Sequence, residues 1–118
     1  MKLLHHPDRK DIMLTSVLYA LSDPVRLQMV AQMHSTGEQP CKDFDVPIAK
    51  STLSQHARTL REAGITHTRT LGTQRLLSLR TDDLNARFPG LLDAVLRGFD
   101  LQRREAAADA EPAEPAQP

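Results

Sequence analysis

Aromatic residues are almost missing from this chain. Trp is absent, Tyr occurs once and Phe three times, 3% in all. A core within 118 residues must therefore come from Leu, Val, Ile, Met and Ala, which favours helices. There is a single cysteine. It excludes a disulfide framework within the chain and a zinc site of clustered thiols, and it fits a reducing cytoplasm. No apolar run approaches the roughly 18–20 residues that span a bilayer. The start, Met1-Lys2-Leu3-Leu4-His5-His6-Pro7, lacks the long apolar stretch of a secretory signal. An excess of either charge is also lacking, with 15 bases against 15 acids. The length suits one domain with a modest core, and such a domain often gains stability from a second subunit.

The zero net charge hides an uneven distribution. From position 50 to 80 the bases are Lys50, Arg58, Arg61, Arg69, Arg75 and Arg80, against Glu62 alone. The last 14 residues carry Glu105, Asp109, Glu111 and Glu114 and no base. A basic middle and an acidic tail are a better guide to partners than their mean.

Within the basic middle, Leu53, Ala57 and Leu60 recur at i, i+4 and i+7, one stripe of a helix. The stripe is narrow, so this helix meets a core on one side only. Ser51, Gln55, Arg58, Thr59 and Glu62 fall around the other side. Gly64 is placed to end the helix with a positive φ. A small polar N-terminal face with Arg further along suits a DNA major groove, the first turns reaching base edges while flanking groups hold phosphates. An ordinary amphipathic surface helix has the same stripe, so the flanking sequence must decide.

Before it, residues 1–7 read as a flexible N-terminus and residues 8–103 as the folded domain. Asp8 to Leu21 predicts a helix apolar over much of its circumference, through Ile12, Leu14, Val17 and Leu18 among others. Ser22-Asp23-Pro24 is a helix start, with a capping side chain and Pro at the first helical position. That second helix runs to about His34, until Gly37 and Pro40 break the chain. A short helix around 40–45 and a turn through Val46-Pro47 then lead into the helix at 50–63, the helix-turn-helix order.

After Gly64 the period changes. Thr66, Thr68 and Thr70 alternate with Ile65, His67, Arg69 and Leu71. Leu71-Gly72-Thr73-Gln74 is a turn, and residues 75–80 form a second strand. Arg69 and Arg75 flank the turn and Gln74 sits at its tip, so the hairpin reads as a basic wing. Thr81-Asp82-Asp83 opens another helix, with Thr81 as its cap. Phe88-Pro89-Gly90 interrupts it. Leu91, Leu92, Val95, Leu96 and Phe99 stripe a final helix to about residue 103. That stripe arrives after the core should be full. Leu92, Val95, Leu96 and Phe99, together with Ile12, Leu14, Val17 and Leu18, are therefore the expected dimer interface. Residues 104–118, acidic and rich in Ala and Pro, read as a disordered tail. The predicted fold is mostly α with a small β-hairpin, a winged helix-turn-helix dimerising through its N- and C-terminal helices.

With these residues in this order the chain resembles the ArsR family of bacterial winged-helix repressors. The stretches that carry the likeness are Ala20-Leu21-Ser22-Asp23-Pro24-Val25-Arg26-Leu27, Ser51-Thr52-Leu53-Ser54-Gln55-His56, Leu60-Arg61-Glu62-Ala63-Gly64-Ile65 and Gly72-Thr73-Gln74-Arg75. Each is weak alone; four in order, over roughly residues 10–97, are fairly specific. The resemblance implies a cytoplasmic homodimer on a palindromic operator in double-stranded DNA, released by an effector. By position, Lys50, Ser51, Thr52, Ser54, Gln55 and Arg58 match the DNA-facing part of the recognition helix. Gln74 and Arg75, with Arg69, match the wing. Gln55 can pair with an adenine edge, while Ser51 and Ser54 suit phosphates. His56, near the apolar stripe, is expected to be packed and hydrogen-bonded.

The family also contains metal sensors, and there the match fails. Cys41 stands without a C-x-C partner, and no histidine follows His67 to join Asp93 or Asp100 on the last helix. A lone thiol or isolated carboxylate does not make a tight transition-metal site, so no metal and no cofactor is expected. Cys41 is left as a thiol switch, through modification or an intersubunit bond, or as a small core residue. An enzyme is the least supported class. Ser54 and His56 lie about 200° apart on a helix and cannot work as nucleophile and base. A winged-helix adaptor that binds protein instead of DNA is the alternative, and a gel shift on genomic fragments separates the two.

Overall fold

The computed structural model describes residues 4–110. Five helices and three short strands follow one another: α1 Leu14–Leu21, α2 Pro24–Thr36, β1 Gln39–Pro40, α3 Lys50–Glu62, β2 Thr66–Leu71, β3 Gln74–Leu79, α4 Thr81–Arg87 and α5 Leu91–Ala110. The sheet is antiparallel in the order β1-β3-β2. The β2–β3 hairpin keeps full register from Thr66 opposite Leu79 to Leu71 opposite Gln74. The winged helix-turn-helix expected from the sequence is what forms.

Local chemistry accounts for the main boundaries. Asp23 caps α2 by accepting from the backbone N–H groups of Val25 (2.8 Å) and Arg26 (3.1 Å), and Pro24 opens the helix. Burial pushes the Asp23 carboxyl upward. The N–H groups of Arg26 and Val25, then His56 and Arg26, outweigh it and hold the group below the usual carboxylate range. Gly64 ends α3 at φ 87°, and a Cβ there would lie 2.6 Å from Cγ1 of Ile12. Glycine is required at this point by both backbone and space. The core gathers α2 (Met29, Val30), α3 (Leu53, Leu60), Ile65, and Leu77 of β3.

Several expectations are corrected. The first helix begins at Leu14, not Asp8. A 3-10 turn at Arg9–Asp11 precedes it, and Ile12 is extended and 1% exposed. The Ile12 carbonyl accepts from Arg87 at 2.7 and 3.2 Å, which takes it out of any helix ladder. The N-terminal segment is tied rather than free from His6 onward. His6 Nε2 accepts from the Thr68 N–H at 3.0 Å, and the Pro7 carbonyl accepts from Arg80 at 2.7 Å. Residues 1–3 lie outside the described residues.

The short helix expected at 40–45 is a single 3-10 turn, Cys41–Asp43. Pro40 and Pro47 bracket it, and the chain leaves through tight turns in which Val46 N–H donates to Phe44 and Ile48 N–H to Val46. Strand β1, two residues long, is too short to carry a periodicity in the sequence. Thr81 is the first residue of α4 and does not cap it; Arg80 holds that position without a side-chain cap bond. At the C-terminal end α5 continues to Ala110, so residues 104–110 are helical where disorder was expected. The remainder of the expected tail, 111–118, lies outside the described residues.

The expected dimer face is also redrawn. Ile12, Val17, Leu92 and Leu96 are buried in the chain's own core, at 1%, 1%, 3% and 8% exposure. Val95 is half-buried against that core. Phe99 is half-buried, with the Arg103 guanidinium 5.2 Å from its ring centre. Leu92 and Leu96 belong to the same buried cluster as Val17, Leu21 and Leu84, so α5 completes the core. Leu14 and Leu18 are exposed, beside exposed Met13 and Tyr19, and Leu101 is exposed on α5.

Candidate nucleic-acid interface

Helix α3 buries Leu53, Ala57 and Leu60 and turns the other side outward. Lys50, Ser51, Thr52, Ser54, Gln55 and Arg58 are all exposed. Among the described residues no hydrogen bond or ion pair engages the side chains of Lys50, Ser51, Thr52, Ser54 or Gln55. Arg58 has only Glu62, one turn on, at 3.1 Å. Ala49 precedes the helix and offers no side-chain cap, so the first N–H groups of α3 have no side-chain acceptor. The face thus carries donors and acceptors that the fold itself does not use.

The wing supplies less than expected. Gly72, at φ 62°, and Thr73 make the turn, and Gln74 already pairs with Leu71 as the first residue of β3. Arg75 is exposed and makes no ion pair among the described residues. Arg69 is different. Its Nε and a terminal nitrogen donate to the two oxygens of Glu38 at 2.9 and 2.8 Å. The hydrogen bonds and then the charge of Arg69 hold the Glu38 carboxyl below the usual carboxylate range. Arg80 is likewise engaged, donating to Asp83 at 2.9 Å and to the Pro7 carbonyl. Among the described residues Lys50 and Arg75 are thus exposed cations of the basic middle without an ion pair, Arg61 is half-buried with no hydrogen-bond partner at its Nε, and Arg69 and Arg80 serve the fold.

His56 is half-buried and hydrogen-bonded, as the sequence suggested. Its Nδ1 lies 3.1 Å from a terminal nitrogen of Arg26. Arg26 itself was missed. It is a charged residue only 8% exposed, and its guanidinium also donates to the carbonyls of Ala20 (2.6 Å) and Tyr19 (3.2 Å). A signal did exist: Arg26 precedes Met29, Val30 and Met33 at i+3, i+4 and i+7, a cation on the apolar stripe of α2.

Cys41 is half-buried beside the wing. Burial pushes its thiol up, against a smaller opposing pull from Arg75, and disfavours the thiolate that a reactive switch needs. His6 and His67 stack with ring centres 4.4 Å apart. Among the described residues no three His, Cys, Asp or Glu side chains are grouped to hold a metal ion. No described helix is long and apolar enough to cross a membrane.

No protein-family model matches the chain. A search of curated proteins finds the uncharacterized HTH-type transcriptional regulator YceK of Bacillus subtilis (strain 168), 35% identical over 82 residues, which are 67% of this chain and 82% of the relative. Among solved structures, the transcriptional repressor BigR from Xylella fastidiosa is similar, with 32% identity, a TM-score of 0.58, and coverage of 73% of this chain and 85% of that one. A possible transcriptional regulator for arsenical resistance is similar at 29% identity and TM-score 0.53, over 85% of this chain and all 100% of the other. The ArsR-family regulator RHA00566 shares the fold at TM-score 0.55 and 18% identity, covering 80% of this chain and 96% of its own.

Proposed function

The chain belongs to the ArsR family of winged helix-turn-helix transcriptional regulators, and from that premise we propose that it is a cytoplasmic repressor that binds a palindromic operator as a homodimer. DNA binding in the service of transcription is the family's work; the operator, the dimer and the release step are the proposal. Two copies would set their α3 helices about 34 Å apart, in successive turns of one duplex face. Gln55 would read a base edge, and Ser51, Ser54 and Arg58 would hold phosphates around it, with Lys50 and Thr52 at the same helix end. Arg75 and the neighbouring Gln74 would grip the backbone beside that site. A second copy would cover the exposed Met13, Leu14, Leu18 and Tyr19 and, on α5, Leu101. An effector of unassigned chemistry would release the DNA.

A single observation carries the reading: at the N-terminal half of the α3 face the polar side chains of Lys50, Ser51, Thr52, Ser54 and Gln55 have no partner among the described residues, and neither has Arg75 on the adjoining hairpin. The test is selection of bound sequences from a random duplex pool, followed by titration at increasing salt. The expected result is an enriched inverted repeat whose affinity falls linearly on a log–log salt plot. Absence of salt-sensitive binding to any duplex overturns the reading.

A further inference from the structure

Arg26 makes contacts that DNA reading alone does not call for. Its guanidinium sits at the junction of three helices and is almost fully buried. From α2 it donates backward to the last carbonyls of α1, those of Tyr19 and Ala20, and across to Nδ1 of His56 on α3. Its Cζ also lies over the Tyr19 ring, 5.3 Å from the ring centre. A guanidinium can only donate. His56 must therefore accept at Nδ1 and carry its proton on Nε2, which faces the Asp23 carboxylate at 3.9 Å. Asp23 is in turn fixed by capping α2.

Helix α1 carries the exposed apolar residues Leu14, Leu18 and Tyr19, whereas α3 carries the polar face. One rigid cation thus ties the helix that meets a second copy to the helix that meets DNA. We infer that His56, through Arg26, is a positioning residue that fixes the angle of α3 against α1 and so sets the half-site spacing the dimer accepts. This rests on the dimeric DNA-binding reading above. It adds a residue that touches no base or phosphate yet selects among operators. A charged donor buried without its acceptor is costly, so removing that acceptor lets the two helices shift until Arg26 finds water.

The experiment compares wild type with His56→Asn, His56→Gln and His56→Ala on the inverted repeat selected by wild type, and on versions with the half-sites moved one base pair in and out. The Asn side chain places an oxygen where Nδ1 stands; the Gln side chain reaches the place of Nε2 instead. The expected outcome is that Asn keeps wild-type affinity and spacing preference. Gln and Ala should lose about tenfold at the preferred spacing, with a flattened preference and unchanged affinity for unrelated duplex. Sedimentation should find all four dimeric. Equal behaviour of Asn and Gln, whether both intact or both weakened, overturns the inference, and that pair decides the matter even if Ala fails to fold. A loss traced to dissociation into monomers overturns it as well. Failure of wild type to bind any duplex is a different result, since it sinks the DNA reading itself.

Discussion

The basic residues around the hairpin fall into two groups, distinguished by what they touch. Near its base, Arg9 and Arg80 share Asp83 at 2.7 and 2.9 Å and Arg87 holds the Ile12 carbonyl; Arg69, one rung of the ladder from Arg75, is clamped by Glu38. Toward α3 and the turn, among the described residues Lys50 and Arg75 meet no acid, and Arg58 meets only the exposed Glu62. The positive excess counted along residues 50–80 is thus partly spent in space, because Glu38 and Asp83 enter from outside that window. A run of charge in sequence overstates the charge offered to a ligand. The first group completes the fold, and the second is left for something outside it.

On that division, damage to the completed part should cost stability and spare DNA contact. Gly64→Ala is the strongest blow. A Cβ would meet Ile12 at 2.6 and 2.9 Å, on a backbone at φ 87°. The strained backbone and the overpacking together should cost about 2–4 kcal/mol. Urea melts would show it, while the fraction still folded keeps its duplex affinity. A melt unchanged from wild type would mean that Ile12 is not held as described.

Damage to the open part should do the reverse. Gln55→Ala should leave the melt unchanged and lower discrimination between the selected site and its single-base variants by about 1–3 kcal/mol. Arg75→Ala should weaken binding to all duplexes alike and reduce the log–log salt slope by about one. Equal loss of sequence preference in both variants would erase the difference between reading and gripping. A finer cut lies within the wing. Arg69→Ala, whose side chain already has Glu38, should stay within about twofold of wild type at every salt concentration. A loss matching that of Arg75→Ala would return Arg69 to the DNA-facing group, where its place in the sequence had put it.

That misplacement shows what the sequence could convey. The stripe of Leu53, Ala57 and Leu60 located α3 and its exposed face, and the placing of Gly64 and of the hairpin turn followed from backbone chemistry. These are local properties, and the structure has them where they were read. Periodicity says which face is buried but not against which chain. The pattern of Ile12, Val17, Leu92 and Leu96 therefore suits a second subunit as well as it suits their own core, which takes them in. The pairings of Arg69 with Glu38, 31 residues away, and of Arg26 with His56, 30 away, leave no mark in local spacing. Only the cation on the apolar stripe of α2 hinted at the second.

The smallest effect tests whether the completed part is uniformly closed. His6 docks on the hairpin by accepting the Thr68 N–H, which requires a bare Nε2. Burial lowers the His6 pKa, and the nearby His67, Arg61 and Arg80 lower it further. The undocked imidazole, near its ordinary value of about 6.5, therefore takes up a proton before the docked one does. Docking is fully favourable above that value and is lost as pH falls through it toward the depressed docked value. The carboxylates of Glu38 and Asp83 are held low by their arginines, so those clamps persist until far more acid conditions. Amide exchange at Thr68, normalised to the intrinsic rate, should accordingly lose protection below about pH 6.5 while the core amides of α2 stay protected. His6→Phe keeps an aromatic ring against His67 but has no acceptor, so it should show low protection at every pH. Protection that ignores pH in wild type, or that survives in His6→Phe, would mean that the N-terminal segment is held by stacking and not by this bond.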